Sequence, residues 1–166
     1  MIWKNIFLLV LLLLSAAIQA NDPIKTTTAR GAVVLAQKSK KASIFINDIW
    51  ENALTVSQKA NIPMSIVIAQ SIYESGCGTS RRCKEDCNYF GLKGEEYLVY
   101  EKMEDCFSHY RRTIMQSCYG KPQSAQEWFV ALERCWGAGD AAGYVADLKK
   151  IIHSYKLYLA DGNTNP

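Results

Sequence analysis

The stretch Ile66 to Gly94 reads IVIAQSIYESGCGTSRRCKEDCNYFGLKG. Ile66, Ala69, Gln70 and Tyr73 recur at helical spacing, so the segment from about Pro63 predicts a mostly buried helix. Pro63 suits its first turn. The helix delivers one carboxylate, Glu74, and the chain then breaks into Ser75-Gly76-Cys77-Gly78-Thr79-Ser80. A carboxylate on a last turn faces the negative end of the helix dipole, so neither the dipole nor burial helps it. The two glycines that follow imply a close approach to the backbone by another part of the molecule. A second polar and aromatic group, Asn88-Tyr89-Phe90-Gly91-Leu92-Lys93-Gly94, comes shortly afterwards.

These two motifs, in this order and spacing, resemble the glucosaminidase family of peptidoglycan hydrolases, within the lysozyme-like superfamily. Members carry an alanine-glutamine-rich helix, then Glu-Ser-Gly-Trp-Gly, then Asn-x-Phe-Gly-x-Lys. Here those read Ala69-Gln70, Glu74-Ser75-Gly76-Cys77-Gly78 and Asn88-Tyr89-Phe90-Gly91-Leu92-Lys93. The resemblance runs from about Ile44 to Leu159. It implies a mainly α (α+β) fold over residues 44–160, a lysozyme-like helical domain with a small extended or β segment beside the cleft. It also implies an exported endo-β-N-acetylglucosaminidase that cleaves the β-1,4 bonds of peptidoglycan glycan strands. Muramidase or lytic transglycosylase-type cleavage in the same cleft is the alternative enzyme. A non-catalytic wall-binding protein and a structural disulfide-rich secreted domain are the alternatives without chemistry.

Cleavage of a glycosidic bond needs an acid near the scissile oxygen that still holds its proton at working pH. Glu74, ending an apolar helix beside Tyr73, is the expected general acid. For the second group, Glu95, Glu96 and Glu101 follow the second motif. Retaining enzymes set two carboxyl groups about 5–5.5 Å apart and inverting ones about 6.5–9.5 Å. A third route needs no second carboxylate, because the sugar's 2-acetamido group can attack its own anomeric carbon. All three routes stay open.

By resemblance, Asn88, Phe90 and Lys93 lie along the cleft, Phe90 serving core packing as well. Tyr89, Tyr100 and Tyr110 carry rings able to stack on sugars, although aromatics at helical spacing are more often core. Two departures stand out. Cys77 occupies a position usually held by Trp, and the family's Tyr-Ala-Thr-Asp becomes Cys135-Trp136-Gly137-Ala138-Gly139-Asp140, followed by Tyr144. Trp136 then replaces a tyrosine whose hydroxyl is thought to assist catalysis, and Trp offers only an N–H donor. It either stacks on substrate or alters activity, with Tyr144 as the second aromatic of the site. A Cys77–Cys135 bridge would join the two substituted neighbourhoods.

The amino terminus reads as a signal peptide over residues 1–20, with Lys4, an apolar run from Ile6 to Leu14 and small residues up to Ala20. The run falls short of the roughly 20 residues that span a bilayer, so no stable membrane insertion is expected after cleavage. The product would be periplasmic or secreted. About 146 residues then remain, enough for one core, and a monomer is expected. The net charge of +3 falls to about +2 without Lys4. No basic stripe with interleaved aromatics points to nucleic acid. Six cysteines, Cys77, Cys83, Cys87, Cys106, Cys118 and Cys135, favour disulfides in an exported chain, with about fifteen connectivities open. Cys83-x-x-x-Cys87 lacks the second pair a zinc site needs, so neither metal nor cofactor is expected. His109 and His153 stand alone.

Elsewhere, residues 21–43 read as a flexible leader, although Gly31 to Gln37 has the makings of a helix start. Ile44, Phe45, Ile49, Ala53 and Val56 predict a helix up to about Asn61. Glu95 to Glu101 predicts an extended stretch. Helices are expected over Glu104–Met115, Ala125–Arg134, where Ser124 and Glu127 form a capping box, and Tyr144–Leu159. Residues 161–166 read as a loose tail.

Overall fold

The helix read from Ile66 to Glu74 is the centre of the molecule. The computed structural model describes residues 23–118, 122–136 and 139–163, with side chains from residue 27 onward. The expected signal peptide, residues 1–20, and the end of the tail, residues 164–166, lie outside the described residues. Among the described residues seven α-helices follow one another: α1 Pro23–Leu35, α2 Lys40–Ala60, α3 Met64–Ser75, α4 Arg81–Asp86, α5 Met103–Ser117, α6 Ala125–Cys135 and α7 Ala141–Ser154. A 3₁₀ turn, Leu157–Asp161, closes the described chain. No helix among the described residues is long and apolar enough to cross a membrane. The architecture is mainly α and lysozyme-like, as the motifs imply.

Helix α3 packs against α2, α7 and the 3₁₀ turn, and α5 packs on α2 as well. Every residue of α3 from Met64 to Ile72 is buried. Ile66, Val67 and Ile68 are 0% exposed, each contributing about 1.5–3 kcal/mol of hydrophobic burial. Such all-round burial explains why its apolar pattern shows little amphipathic contrast. Helix α2 is two-sided. Phe45, Ile46, Ile49, Trp50, Ala53 and Val56 are buried, but Ile44, assigned to that face from its sequence, is 51% exposed.

Two caps fix the ends of α3. At its start, Asp161 Oδ1 accepts from the Ser65 backbone N–H at 3.1 Å, across 96 residues of sequence. The residue expected to begin a loose tail is instead a cap, placed where the helix dipole favours a carboxylate. At its end, Gly76 takes a left-handed conformation (φ 59°) and its N–H bonds the Ile72 carbonyl, a glycine stop in which no Cβ is strained. Gly78 (φ 75°) answers the expected close approach, because a Cβ there would lie 2.6 Å from Phe45 Cδ2.

The stretch read as a flexible leader is helical from Pro23 to Leu35. It is anchored on α2 by Arg30, which donates to Asn47 Oδ1 at 3.1 Å and to Glu51 Oε1 at 2.8 Å, and by Val33, which is 0% exposed. The expected extended stretch, Glu95 to Glu101, forms no strand among the described residues. A single antiparallel bridge, Lys93 to Tyr97, stands in its place, because no second strand lies alongside to continue a ladder. The last long helix stops at Ser154, earlier than Leu159, and the chain turns at Lys156 (φ 52°) into the 3₁₀ segment. One half of the capping box forms, the Ser124 hydroxyl accepting from the Glu127 N–H at 3.2 Å, while Glu127 Oε2 reaches one residue further back and accepts from the Gln123 N–H at 3.0 Å.

Candidate active site

Glu74 leaves the last turn of α3 half-buried. Three elements meet its carboxyl. The indole N–H of Trp136, just beyond α6, donates to Glu74 Oε1 at 3.3 Å. The hydroxyl of Tyr144, on the first turns of α7, faces the same carboxyl closely enough to lower its pKa. Gly91 of the second motif lies against the other oxygen, close enough that a Cβ there would sit 3.3 Å from Oε2. With φ at 62°, Gly91 is a position where both conformation and space call for glycine.

Burial raises the Glu74 pKa above its ordinary value, and the hydrogen bonds from Trp136 and Tyr144 hold it partly back. Desolvation penalises the charged form, while donors to the carboxylate favour it. The result is a carboxyl that keeps its proton further towards neutral pH than an exposed glutamate, yet has two donors ready for the anion. Such a group can act as a general acid.

The aromatic residues form a floor beneath this carboxyl. Phe90 stacks on Tyr110, with ring centroids 3.9 Å apart and planes 11° from parallel. Tyr110 meets the Trp136 ring edge-on at 5.5 Å. Tyr73, beside Glu74, meets Tyr144 edge-on at 5.0 Å and keeps 43% of its surface exposed.

The site residues expected from the sequence therefore divide. Glu74, Trp136 and Tyr144 come together at one carboxyl. Tyr110 is 0% exposed and Phe90 2%, so neither ring has a free face for a sugar; both support the floor. Asn88 is also buried, and its work is local. Its amide donates to the Leu92 and Leu98 carbonyls at 2.8 and 2.9 Å, and its Oδ1 accepts from the Leu92 N–H at 2.9 Å. One side chain thus braces the loop that leads into the expected extended stretch. Tyr89 is half-buried against Phe45 and Phe107. Lys93, Glu95 and Glu96 are exposed on the turn, and Glu96 acts on Arg82. Among the described residues, no carboxylate is one of the groups that shift Glu74. Tyr100 pairs with His109, its hydroxyl 2.9 Å from Nδ1.

Two residues carried more than their sequence reading. Gln70, quoted only as part of a motif, is buried and bonded to both Tyr110 and Tyr144. Its signal was visible: a lone amide in an apolar helix, one turn before Glu74. Tyr73, treated as a neighbour, presents an exposed ring beside the acid.

The cysteines correct the expected bridge. Cys135 pairs with Cys118, Cα atoms 5.3 Å apart, and not with Cys77. The bond ties the end of α5 to the end of α6, directly before Trp136. Cys77, Cys83, Cys87 and Cys106 are free thiols. Burial is the main cause that pushes Cys83 up to about 11 and Cys106 up to about 12, which keeps both protonated and poor nucleophiles at neutral pH. Among the described residues, no group of three or more His, Cys, Asp or Glu side chains is placed to hold a metal.

Comparison with known proteins agrees with this fold. Solved structures of similar fold include the catalytic domain of the autolysin Auto from Listeria monocytogenes, at 19% identity and a TM-score of 0.64, over 75% of this chain and 90% of that one. An N-acetylmuramoyl-L-alanine amidase from Staphylococcus aureus has 22% identity and a TM-score of 0.65, over 78% of this chain but only 46% of that one. At such identities the likeness shows the fold. No curated protein sequence matches the chain. The glucosaminidase family model, described as mannosyl-glycoprotein endo-beta-N-acetylglucosaminidase, matches residues 50–157. That span is well over half of the chain and holds every contact made by Glu74 above, so the protein belongs to the glucosaminidase family.

Proposed function

We propose that the protein is an exported peptidoglycan hydrolase that cuts the β-1,4 bond after N-acetylglucosamine, with Glu74 as general acid. The observation that carries this reading is the state of Glu74: a half-buried carboxyl with a raised pKa, met by the donors Trp136 and Tyr144. Membership of the glucosaminidase family supports this choice of sugar and bond. Trp136 and Tyr73, both partly exposed beside the acid, are the rings available to the glycan, and Tyr89 and Lys93 flank Gly91 in sequence. Purified peptidoglycan incubated with the wild type should gain new reducing ends, and Glu74→Gln should produce none while keeping its fold. Glycan cleavage retained by Glu74→Gln would refute the assignment.

For the second group, Glu95 and Glu96 lie exposed on the turn, and among the described residues no carboxylate shifts Glu74; both points favour the acetamido route. In that route the substrate's acetamido oxygen bonds to C1 as the glycosidic C1–O bond breaks, and Glu74 gives its proton to the departing oxygen. Water then opens the cyclic intermediate with retained configuration. Inversion at the new anomeric centre, read by NMR of the first product formed, would rule this route out.

A further inference from the structure

Two buried polar side chains take no direct part in that chemistry. Gln70, on α3 one turn before Glu74, and Tyr110, on α5, are both 0% exposed. An amide and a phenol placed in an apolar core cost free energy unless they are bonded, and here they are bonded to each other and to the acid's partner. Tyr110 Oη donates to Gln70 Oε1 at 2.5 Å. Gln70 Nε2 donates to Tyr144 Oη at 2.9 Å. Tyr144 in turn meets Glu74.

The carboxylate end sets the polarity of this chain of bonds. An ionised carboxylate can only accept, so the Tyr144 proton must point at Glu74. The Tyr144 oxygen then receives the Gln70 N–H. The carbonyl oxygen of Gln70 is left facing Tyr110 and takes its proton. Neither Gln70 nor Tyr110 is exposed, so no bulk water offers either group a different partner. Phe90, stacked on Tyr110, fixes the far end.

We propose that Gln70 and Tyr110 are positioning residues for glycosidic cleavage, which lock the Tyr144 hydroxyl as a permanent donor to Glu74. The proposal rests on Glu74 being the general acid. When Glu74 passes its proton to the leaving oxygen, the carboxylate formed meets a donor already aimed at it, and no dipole has to turn at that moment. Without the Tyr110 hydroxyl the Gln70 amide is free to turn over. Its oxygen would then take the Tyr144 proton away from Glu74. The ionisable groups that face Glu74 are Tyr144 from α7 and Tyr110 from α5. The second motif presents Gly91 to it, and the segment after α6 presents the Trp136 indole.

The test uses a reporter that does not depend on turnover. The Trp136 indole N–H donates to Glu74, so its ¹H–¹⁵N resonance, assigned by its loss in Trp136→Phe, follows Glu74 through its titration. In Tyr110→Phe, which frees the amide to turn and take the Tyr144 proton, the midpoint should move up by about one pH unit, as expected when a carboxylate loses a donor. In Gln70→Leu, which leaves the Tyr144 hydroxyl unheld but offers it no competing acceptor, it should move up by less. The basic limb of the kcat profile should move with it in both. Unmoved midpoints in the folded variants would overturn the proposal, and Tyr110→Phe alone decides it if Gln70→Leu does not fold. A midpoint that moves while the kcat limb stays still would instead overturn Glu74 as the acid, leaving the bonded chain intact.

Discussion

Trp136 donates its indole N–H to Glu74 Oε1 at 3.3 Å although the two residues lie 62 positions apart. The bond joins the end of α6 to the end of α3, and it makes Trp136 more than a platform for sugars. A general acid must be protonated, so activity should fall as pH rises through the Glu74 pKa. Trp136 lowers that pKa. Trp136→Phe should therefore move the basic limb of the pH–rate profile to higher pH. It should also lower kcat at the optimum by about tenfold, the scale of one lost charge-assisted donor. A limb that moves to lower pH would contradict this.

The same carboxyl costs the fold something at neutral pH. Its folded pKa is raised above the ordinary 4.5, so its favourable contribution is present below pH about 4.5 and is lost as pH rises through the folded value. Glu74→Gln removes the buried charge. Its melting temperature should exceed that of the wild type at pH 7 by a few degrees, on the order seen when active-site strain is relieved. The difference should shrink towards zero near pH 4. Calorimetry at both pH values checks it.

The Cys118–Cys135 bond closes a loop with a sequence separation of 17 residues. A loop of that size corresponds to about 3 kcal/mol of stabilisation. Cys118→Ser with Cys135→Ser should lower stability by about that amount in denaturant melts. Because Trp136 follows Cys135 directly, kcat measured well below the melting temperature should fall as well. A destabilised variant with unchanged kcat would show that Trp136 is held without the bond.

Asp161 stands at the other end of α3. Burial raises its pKa, against the pull of its bonds to Ser65 and Met64. The charge is thus dispensable and the acceptor is not. Asp161→Asn should be nearly neutral at pH 7, while Asp161→Ala should cost about 1–2 kcal/mol, as for a lost helix cap.

Much of the site was legible because its signals are local. Glu74 followed by Gly76 reads as a helix stop beside an acid, and the order of the two motifs brought Gly91 to the same carboxyl. What the sequence hid was non-local. Asp161 caps a helix 96 residues away, and no pattern within either segment announces the pair. The bridge of Cys135 to Cys118 was one choice among many connectivities. The polar helix α1 gave no strong apolar stripe, because Arg30 anchors it through hydrogen bonds as well as Val33 through burial. Asn88 sits in a motif that suggests ligand contact and Tyr110 carries a ring able to stack on sugars, yet burial turned both inward, one into a loop staple and the other into the floor. Helical or motif position fixes which face a residue shares; it does not fix whether that face is covered.

The central claim is that Glu74 drives cleavage after N-acetylglucosamine. Its most direct test is mass spectrometry of peptidoglycan digests after borohydride reduction, with wild type and Glu74→Gln side by side. The account predicts fragments ending in reduced N-acetylglucosamine, made by the wild type alone. Reduced muramic or anhydromuramic ends, fragments released only by amide cleavage, or equal products from Glu74→Gln would contradict it.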